Sequence, residues 1–320
     1  MCSLPQRAKS FPEVLNHDRL LQSFYSQLQT FFKDKGMFFA SLITPVILLV
    51  LYAAFLANVY RDSFISALPE GFPAAEKLIG GIVGGQLVSS LLAVSCITVS
   101  FCCNMTMVLD KVTGARRDLT VSPVKKSTLA LSYYLATFAS TLLVCLIAAG
   151  AGFIYLAKVG WYLSFADVML LFADIVLLVL FGTALSSIVN RFLTTQGQVS
   201  AVGTIVSSGY GFICGAYMPI AQFSTGLQHI LMFLPGTYGT SLIRNHALRG
   251  AFSAAADAGL APEVIDIIKK SIDCRLSFFG TDVSLPAMFA VLCGGTVLLV
   301  ALFVLLNILC GVNRRKKYSQ

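Results

Sequence analysis

The chain has 320 residues, 57% of them hydrophobic and only 12% charged, with a net charge of +8. A water-soluble domain carries about 25% charged residues, so a single solvated core is excluded and the bilayer is the expected solvent. The positive charge does not point to nucleic acid, because the basic residues stand beside apolar runs, where they act as topology signals.

Met1–Asn16 carries Arg7 and Lys9 with no apolar core after them, so the first apolar run is expected to act as its own insertion signal. Asp18–Phe32 is amphipathic at helical spacing, with Leu20, Leu21, Phe24, Tyr25, Leu28, Phe31 and Phe32 on one face. It is expected to lie in the membrane interface with Asp18 capping its start, the alternative being a partner-binding helix in the cytosol.

Six apolar runs follow that are long enough to cross a bilayer, which takes about 20 residues. They lie near Met37–Val59, Leu78–Leu109, Ser127–Ala157, Asp167–Asn190, Val199–Pro219 and Leu285–Gly311. The second and third exceed the minimum and are expected to tilt or to extend beyond the membrane. The fold class is therefore an all-α polytopic membrane protein with six transmembrane helices. Residues 1–36 hold the interfacial helix, 37–311 the transmembrane domain and 312–320 a basic tail.

An even span count puts both termini on one side. Arg7, Lys9, Arg19, Lys33, Lys35, Lys111, Arg116, Arg117, Lys125, Lys126, Arg191 and Arg314–Lys317 gather there, whereas the short opposite loops hold Arg61, Lys77 and Lys158. The positive-inside rule makes the first side cytoplasmic, in a multi-pass protein of the plasma membrane.

The loop "DKVTGARRDLTVSPVKKSTL", Asp110–Leu129, interrupts two uncharged stretches. Its basic residues orient the hairpin, but Val112, Leu119, Val121 and Val124 put apolar side chains where water would solvate them. Gly114 supplies a turn and Pro123 stops a short helix, so an apolar helical turn at Asp118–Val121 is expected to bind something.

Asp174 lies within the fourth run. It is either a substrate or proton contact or a carboxylate that reaches the interface beside Asp167. Small residues recur every four positions at Gly81, Gly85, Ser89 and Ala93, and again at Gly203, Ser207, Gly211 and Gly215. Such ridges serve close helix packing within a subunit, a subunit interface or a transport path.

After the fifth run, Pro219 and Pro235 bracket "IAQFSTGLQHILMFL", which is too short to cross. The composition turns polar over Ala251–Ile272, with a short helix expected from Pro262 to Ile272. The nine cysteines form no disulfide framework and no Cys-x-x-Cys pair. Cys274 is expected to be exposed on the outer side. His229 and His246 stand alone, so no metal site is expected, and no catalytic constellation is visible.

The interfacial helix, six spans, the pattern D-K-x-x-G-…-L-x-x-x-P-V at Asp110–Val124 and the stretch "CGAYMPIAQFSTGLQHILMFLPGTYGTSLIR" together resemble the ABC-2 type permeases, the membrane subunits of one class of ATP-driven exporters. Where that family usually carries E-x-G-T, this chain has Asp110 as the acidic residue and Thr113–Gly114 in reversed order.

The resemblance implies that 110–126 is a coupling loop docking on a cytosolic ATP-binding subunit. Asp110, Gly114, Arg116, Arg117, Asp118, Leu119, Val121 and Pro123 would serve that contact. It also implies a homodimer, with Gly203, Ser207, Gly211 and Gly215 at the interface or pathway. A re-entrant helical hairpin at Pro219–Pro235 would open an outer segment, 220–284.

No G-x-x-x-x-G-K-[ST] occurs, and "GGIVGG" lacks the lysine. ATP and Mg are thus expected on the partner and no cofactor on this chain, which would not itself be an enzyme. The expected cargo is a hydrophobic drug, a lipid-like molecule or a peptide. The competing reading is an ATP-independent, ion-coupled carrier using Asp174.

Overall fold

A computed structural model of the chain describes residues 11–68, 76–114 and 126–317. The molecule is mostly helical. Among the described residues, five helices are long and apolar enough to cross a membrane: Lys35–Ser66, Glu76–Val112, Thr128–Val159, Phe165–Phe192 and Leu285–Ile308.

Helix α1 runs Phe11–Lys33. It begins seven residues before Asp18, so Asp18 lies inside the helix and is not its cap; Pro12, with no N–H to leave unpaired, suits the first turn. Asp34 separates α1 from α2 (Lys35–Leu51) and caps the latter, its side chain accepting from the Met37 N–H at 3.1 Å. A π turn at Tyr52–Leu56 joins α2 to α3 (Ala57–Ala67).

Helix α4 (Glu76–Cys103) is the axis of the bundle, and its apolar window is buried all round. It packs against α2, α6 (Lys126–Val159), α7 (Phe165–Phe192), α8 (Gln196–Ile213) and α10 (Pro235–Asp257). A helix apolar on every face belongs in such a position. The four-residue ridge of small residues makes the close packing possible. A Cβ on Gly85 would lie 2.6 Å from Leu248 of α10, and one on Gly81 would meet the Tyr162 ring. This ridge is spent on packing within the subunit.

The second apolar run owes its length to a break. At Asn104 (φ −79°, ψ 0°) α4 gives way to α5, Met105–Val112. Asn104 is fully buried; its amide donates to Ser186 and Ser187 at 3.0 Å, and its carbonyl accepts from Asn190. The interruption is thus fixed by side-chain partners on α7, which replace lost helix bonds.

The sequence did not announce α10. It starts one residue beyond Leu234, with Pro235 in the first turn, and runs 23 residues between α4, α7 and α12 (Leu285–Lys317). Ahead of it come a 3-10 turn, Ile220–Gln222, and the short α9, Thr225–Leu231. Behind it come α11 (Pro262–Ser271) and a two-stranded antiparallel ribbon, β1 (Ser277–Phe278) with β2 (Thr281–Asp282).

Candidate functional site

Polar side chains are expensive inside an apolar bundle, so their positions mark where the molecule does something other than pack. The charged ones, with their partners, gather at two ends. The basic end holds α5 and the last turns of α7. The cap end holds the first turns of α7, most of α10, and α11.

At the basic end, Asp110 and Lys111 sit side by side in the last turn of α5 and reach in different directions. The Asp110 carboxylate accepts from Tyr133 of α6 at 2.5 Å and from the Gln27 amide of α1 at 3.1 Å. Ser23 of α1 and Ser132 of α6 share a hydrogen bond at 2.9 Å nearby, so α1 is bonded to the bundle along this seam. The Lys111 ammonium donates to the carbonyls of Asn190, Arg191 and Leu193 at 2.8, 3.0 and 3.2 Å. These carbonyls belong to the end of α7 and its cap residue, where the helix favours a cation; that of Asn190 also accepts from the Leu193 N–H. Arg191 itself bonds to Asn307 and to the Leu306 carbonyl of α12. The base of the loop is therefore tied to α1, α6 and α7, and through Arg191 to α12. Gly114, at φ +85°, turns the chain out of α5, a conformation that costs glycine little. Arg116, Arg117, Asp118, Leu119, Val121 and Pro123 lie outside the described residues.

At the cap end, Arg244 of α10 is 0% exposed. Its guanidinium donates to the carbonyls of Ile272 (2.6 Å) and Gly215 (2.9 Å) and to Ser90 of α4 (3.2 Å), and pairs with Asp273 at 3.5 Å. Asp273 in turn accepts from the N–H groups of Ile220 (2.7 Å) and Ala221 (3.3 Å), while its own carbonyl accepts from Ser241. Burial pushes the Asp273 carboxyl above its usual range; Arg244 and the two N–H groups pull the other way. One ion pair thus joins the end of α8, the 3-10 turn, the end of α11 and the middle of α4.

Cys274, expected to be exposed, is instead 2% exposed, and burial pushes its thiol up to about 12. The reason is its neighbour: Asp273 is drawn inward by Arg244, and the Cys274 carbonyl accepts from Asn245 at 2.7 Å.

Asp174 is buried in α7 with His246 of α10, its carboxylate 2.5 Å from Nδ1. Two turns nearer the end of α7, Asp167 pairs with Arg249 at 2.6 Å and closes a capping box with Ser164. Spacings of seven and of three each place a pair on one helix face. That signal was present in the sequence for Asp167, Asp174, His246 and Arg249. Arg244 and Asp273 left no such signal. No group of three or more His, Cys, Asp or Glu side chains suited to a metal occurs among the described residues.

The ridge on α8 divides. Gly203 and Ser207 are half-buried beside a cavity of about 560 Å³ shared with α2 and α4. Gly211 packs under the Tyr217 ring, and Gly215, at φ +74°, turns the chain so that its carbonyl meets Arg244. Pro219 precedes the 3-10 turn, and Pro235 opens α10.

A bundle of this kind, apolar outside and pinned by polar contacts at its two ends, is that of a polytopic membrane protein. Residues 72–309 match the family model described as ABC-2 family transporter protein. The chain belongs to that family. No curated protein matches it.

Proposed function

We propose that this chain is the permease subunit of an ATP-driven exporter that moves a hydrophobic or amphipathic molecule out of the cytoplasm. A separate cytosolic ATP-binding subunit, carrying ATP and Mg, docks at the loop of residues 110–126. The observation that carries the reading is the base of that loop. Adjacent residues, Asp110 and Lys111, grip α1 with α6 on one side and the end of α7 on the other. A push delivered there reaches several spans at once. Leu119 and Val121 fill an apolar socket on the partner, and Arg116, Arg117 and Asp118 set register at its rim.

In this reading the basic end is cytoplasmic, both termini lie there, and the protein resides in the plasma membrane. Helix α8, 18 residues or about 27 Å long, is the remaining span, fifth in chain order. The re-entrant hairpin, expected between Pro219 and Pro235 where only a 3-10 turn and the short α9 lie, instead takes that segment as one arm and α10 as the other. Two contacts support this: Pro235 packs against Gly295 within α12, while Arg249 reaches Asp167 at the far end of α7. The half-buried Gly203 and Ser207 are the part of the α8 ridge free to meet a second copy in a homodimer. The ion-coupled alternative needs a mobile, hydrated Asp174. Its burial against His246 favours a structural role.

Leu119→Asp tests the coupling role. An unpaired charge in an apolar socket costs several kcal/mol. The variant is expected to insert and dimerise normally, retain much less ATPase subunit on purification, and lose ATP-dependent export. Wild-type retention of the subunit would end this reading of the loop.

A further inference from the structure

An apolar cavity of about 610 Å³ opens between α7, α8, α12 and the start of α10, on a different side of α8 from Gly203. That is the size of a small-molecule pocket. Its rim is apolar, with Ile205 68% and Leu298 69% exposed. In a membrane subunit such a mouth meets hydrocarbon, so an occupant enters from the bilayer.

The inner end is different. Tyr210 lines the cavity, is 9% exposed, and its hydroxyl has no hydrogen-bond partner among the described residues. A buried tyrosine ordinarily finds one. The hydroxyl lies over Gly236, in the first turn of α10, where a Cβ would collide with it. Pro235 has no N–H to give, so Gly236 carries the first N–H of that helix, one that the helix itself does not use. The unpartnered Tyr210 hydroxyl and the first N–H of a 23-residue helix, at its positive end, therefore lie together in the wall at the inner end of one apolar cavity.

We propose that this cavity is a binding site for a membrane lipid. One acyl chain fills the apolar part, and an ester carbonyl accepts from Tyr210 and the α10 N-terminus. No Lys, Arg, Asp or Glu lines the cavity, so the buried part of the ligand is uncharged. The occupant is argued from the mouth: a molecule that reaches the site through hydrocarbon and fits an apolar chamber with one donor cluster is a glycerolipid chain with its ester. The site lies within one subunit and does not depend on the ATPase reading.

The test uses the full chain reconstituted in phosphatidylcholine vesicles containing a phosphatidylcholine with a photoactivatable diazirine near the ester end of one acyl chain. Labelled peptides are mapped after irradiation. Labelling is expected to concentrate on the peptides carrying Tyr210 and Leu298, at least fivefold above that carrying Ile154, a 65% exposed residue of α6 outside the cavity. Gly209→Leu, which fills space at the cavity wall, should lower the Tyr210-peptide signal by about fivefold. Tyr210→Phe should lower it severalfold while leaving thermal stability near wild type, since it removes only an unpaired hydroxyl.

Equal labelling of the Ile154 peptide, or signals indifferent to both substitutions, would overturn the proposal. So would protection by a second copy that leaves the cavity unlabelled. A final arm adds the ATPase subunit and ATP: unchanged labelling is expected of a resident lipid, and ATP-driven loss of the probe would make the occupant cargo and overturn residency.

Discussion

The two polar ends of the bundle are built with different chemistry. The cap end is closed around one buried ion pair, Arg244 with Asp273, flanked by two buried carboxylates, Asp167 held by the half-exposed Arg249 and Asp174 by His246. At the basic end, beside the buried Asn104 network, the loop base is held by hydrogen bonds that are only partly buried, Gln27 and Tyr133 on Asp110 and Lys111 on the end of α7. A buried ion pair is costly to assemble and very costly to break singly, because the surviving charge stays buried. A half-buried hydrogen bond contributes about 1 kcal/mol and is exchanged for water at little loss. The cap end is therefore expected to keep one arrangement, and under the proposed coupling role the loop base is where the bundle would yield to force.

The sharpest way to break this comparison is Arg244→Ala. It strands Asp273 and leaves the carbonyls of Gly215 and Ile272 without their donor, at an expected cost of about 3–5 kcal/mol. The purified variant should melt well below wild type in a thermal-shift measurement. Cys274 gives a second readout. A thiol held near 12 has little thiolate at neutral pH, so an impermeant maleimide should label the wild type very slowly in intact cells. In Arg244→Ala labelling should become rapid. A wild-type Cys274 that reacts at once, or an Arg244→Ala melting like wild type, would show that the cap end is not locked.

A smaller loss is expected on α7. Asp174→Ala removes the partner of a mostly buried histidine and leaves a small void, for about 2 kcal/mol. Asp174→Asn keeps a hydrogen bond to Nδ1 and should lose about half of that. Export by the Asn variant should keep its rate and its independence of an imposed proton gradient. If the gradient drives transport in wild type and fails to do so in Asp174→Asn, the ion-coupled reading replaces the ATP-driven one.

What the sequence showed and what it hid divide along the same line. The apolar runs were legible because transfer to hydrocarbon scales with composition, and five of the six coincide with helices of spanning length and apolarity. Helix α10 was not, because "GTYGTSLIRNHALRG" reads as polar and hydropathy cannot distinguish a polar group in water from one satisfied by a buried partner. Thr237 and Tyr238 bond to the carbonyls of Leu231 and Met232, and Ser241 to that of Asp273. Each would cost free energy if exposed to lipid alone. Cys274 was misjudged for the same reason. Asp110 was singled out as a coupling residue from its loop, but its partners lie 83 and 23 residues away in the chain, beyond any local pattern.

Asp110→Asn is the finest of these tests and sharpens the comparison most. One carboxylate oxygen, Oδ2, accepts from both Gln27 and Tyr133. An amide oxygen accepts the same two donors more weakly, because hydrogen bonds to an ionised acceptor are roughly twice as strong as neutral ones. The fold should lose only about 1 kcal/mol, a small shift beside that of Arg244→Ala. The grip of α5 on α1 and α6 loosens all the same, while Lys111 still holds the end of α7. Force entering at the loop is then shared unequally. The expected result is near-wild-type retention of the ATPase subunit and near-wild-type ATP hydrolysis, with export lowered severalfold per ATP consumed. Leu119→Asp, by contrast, should lose the subunit itself. If Asp110→Asn lowers retention and export in equal proportion, residue 110 belongs to the docking contact rather than to the joint behind it, and the basic end transmits force through Lys111 and α7 alone.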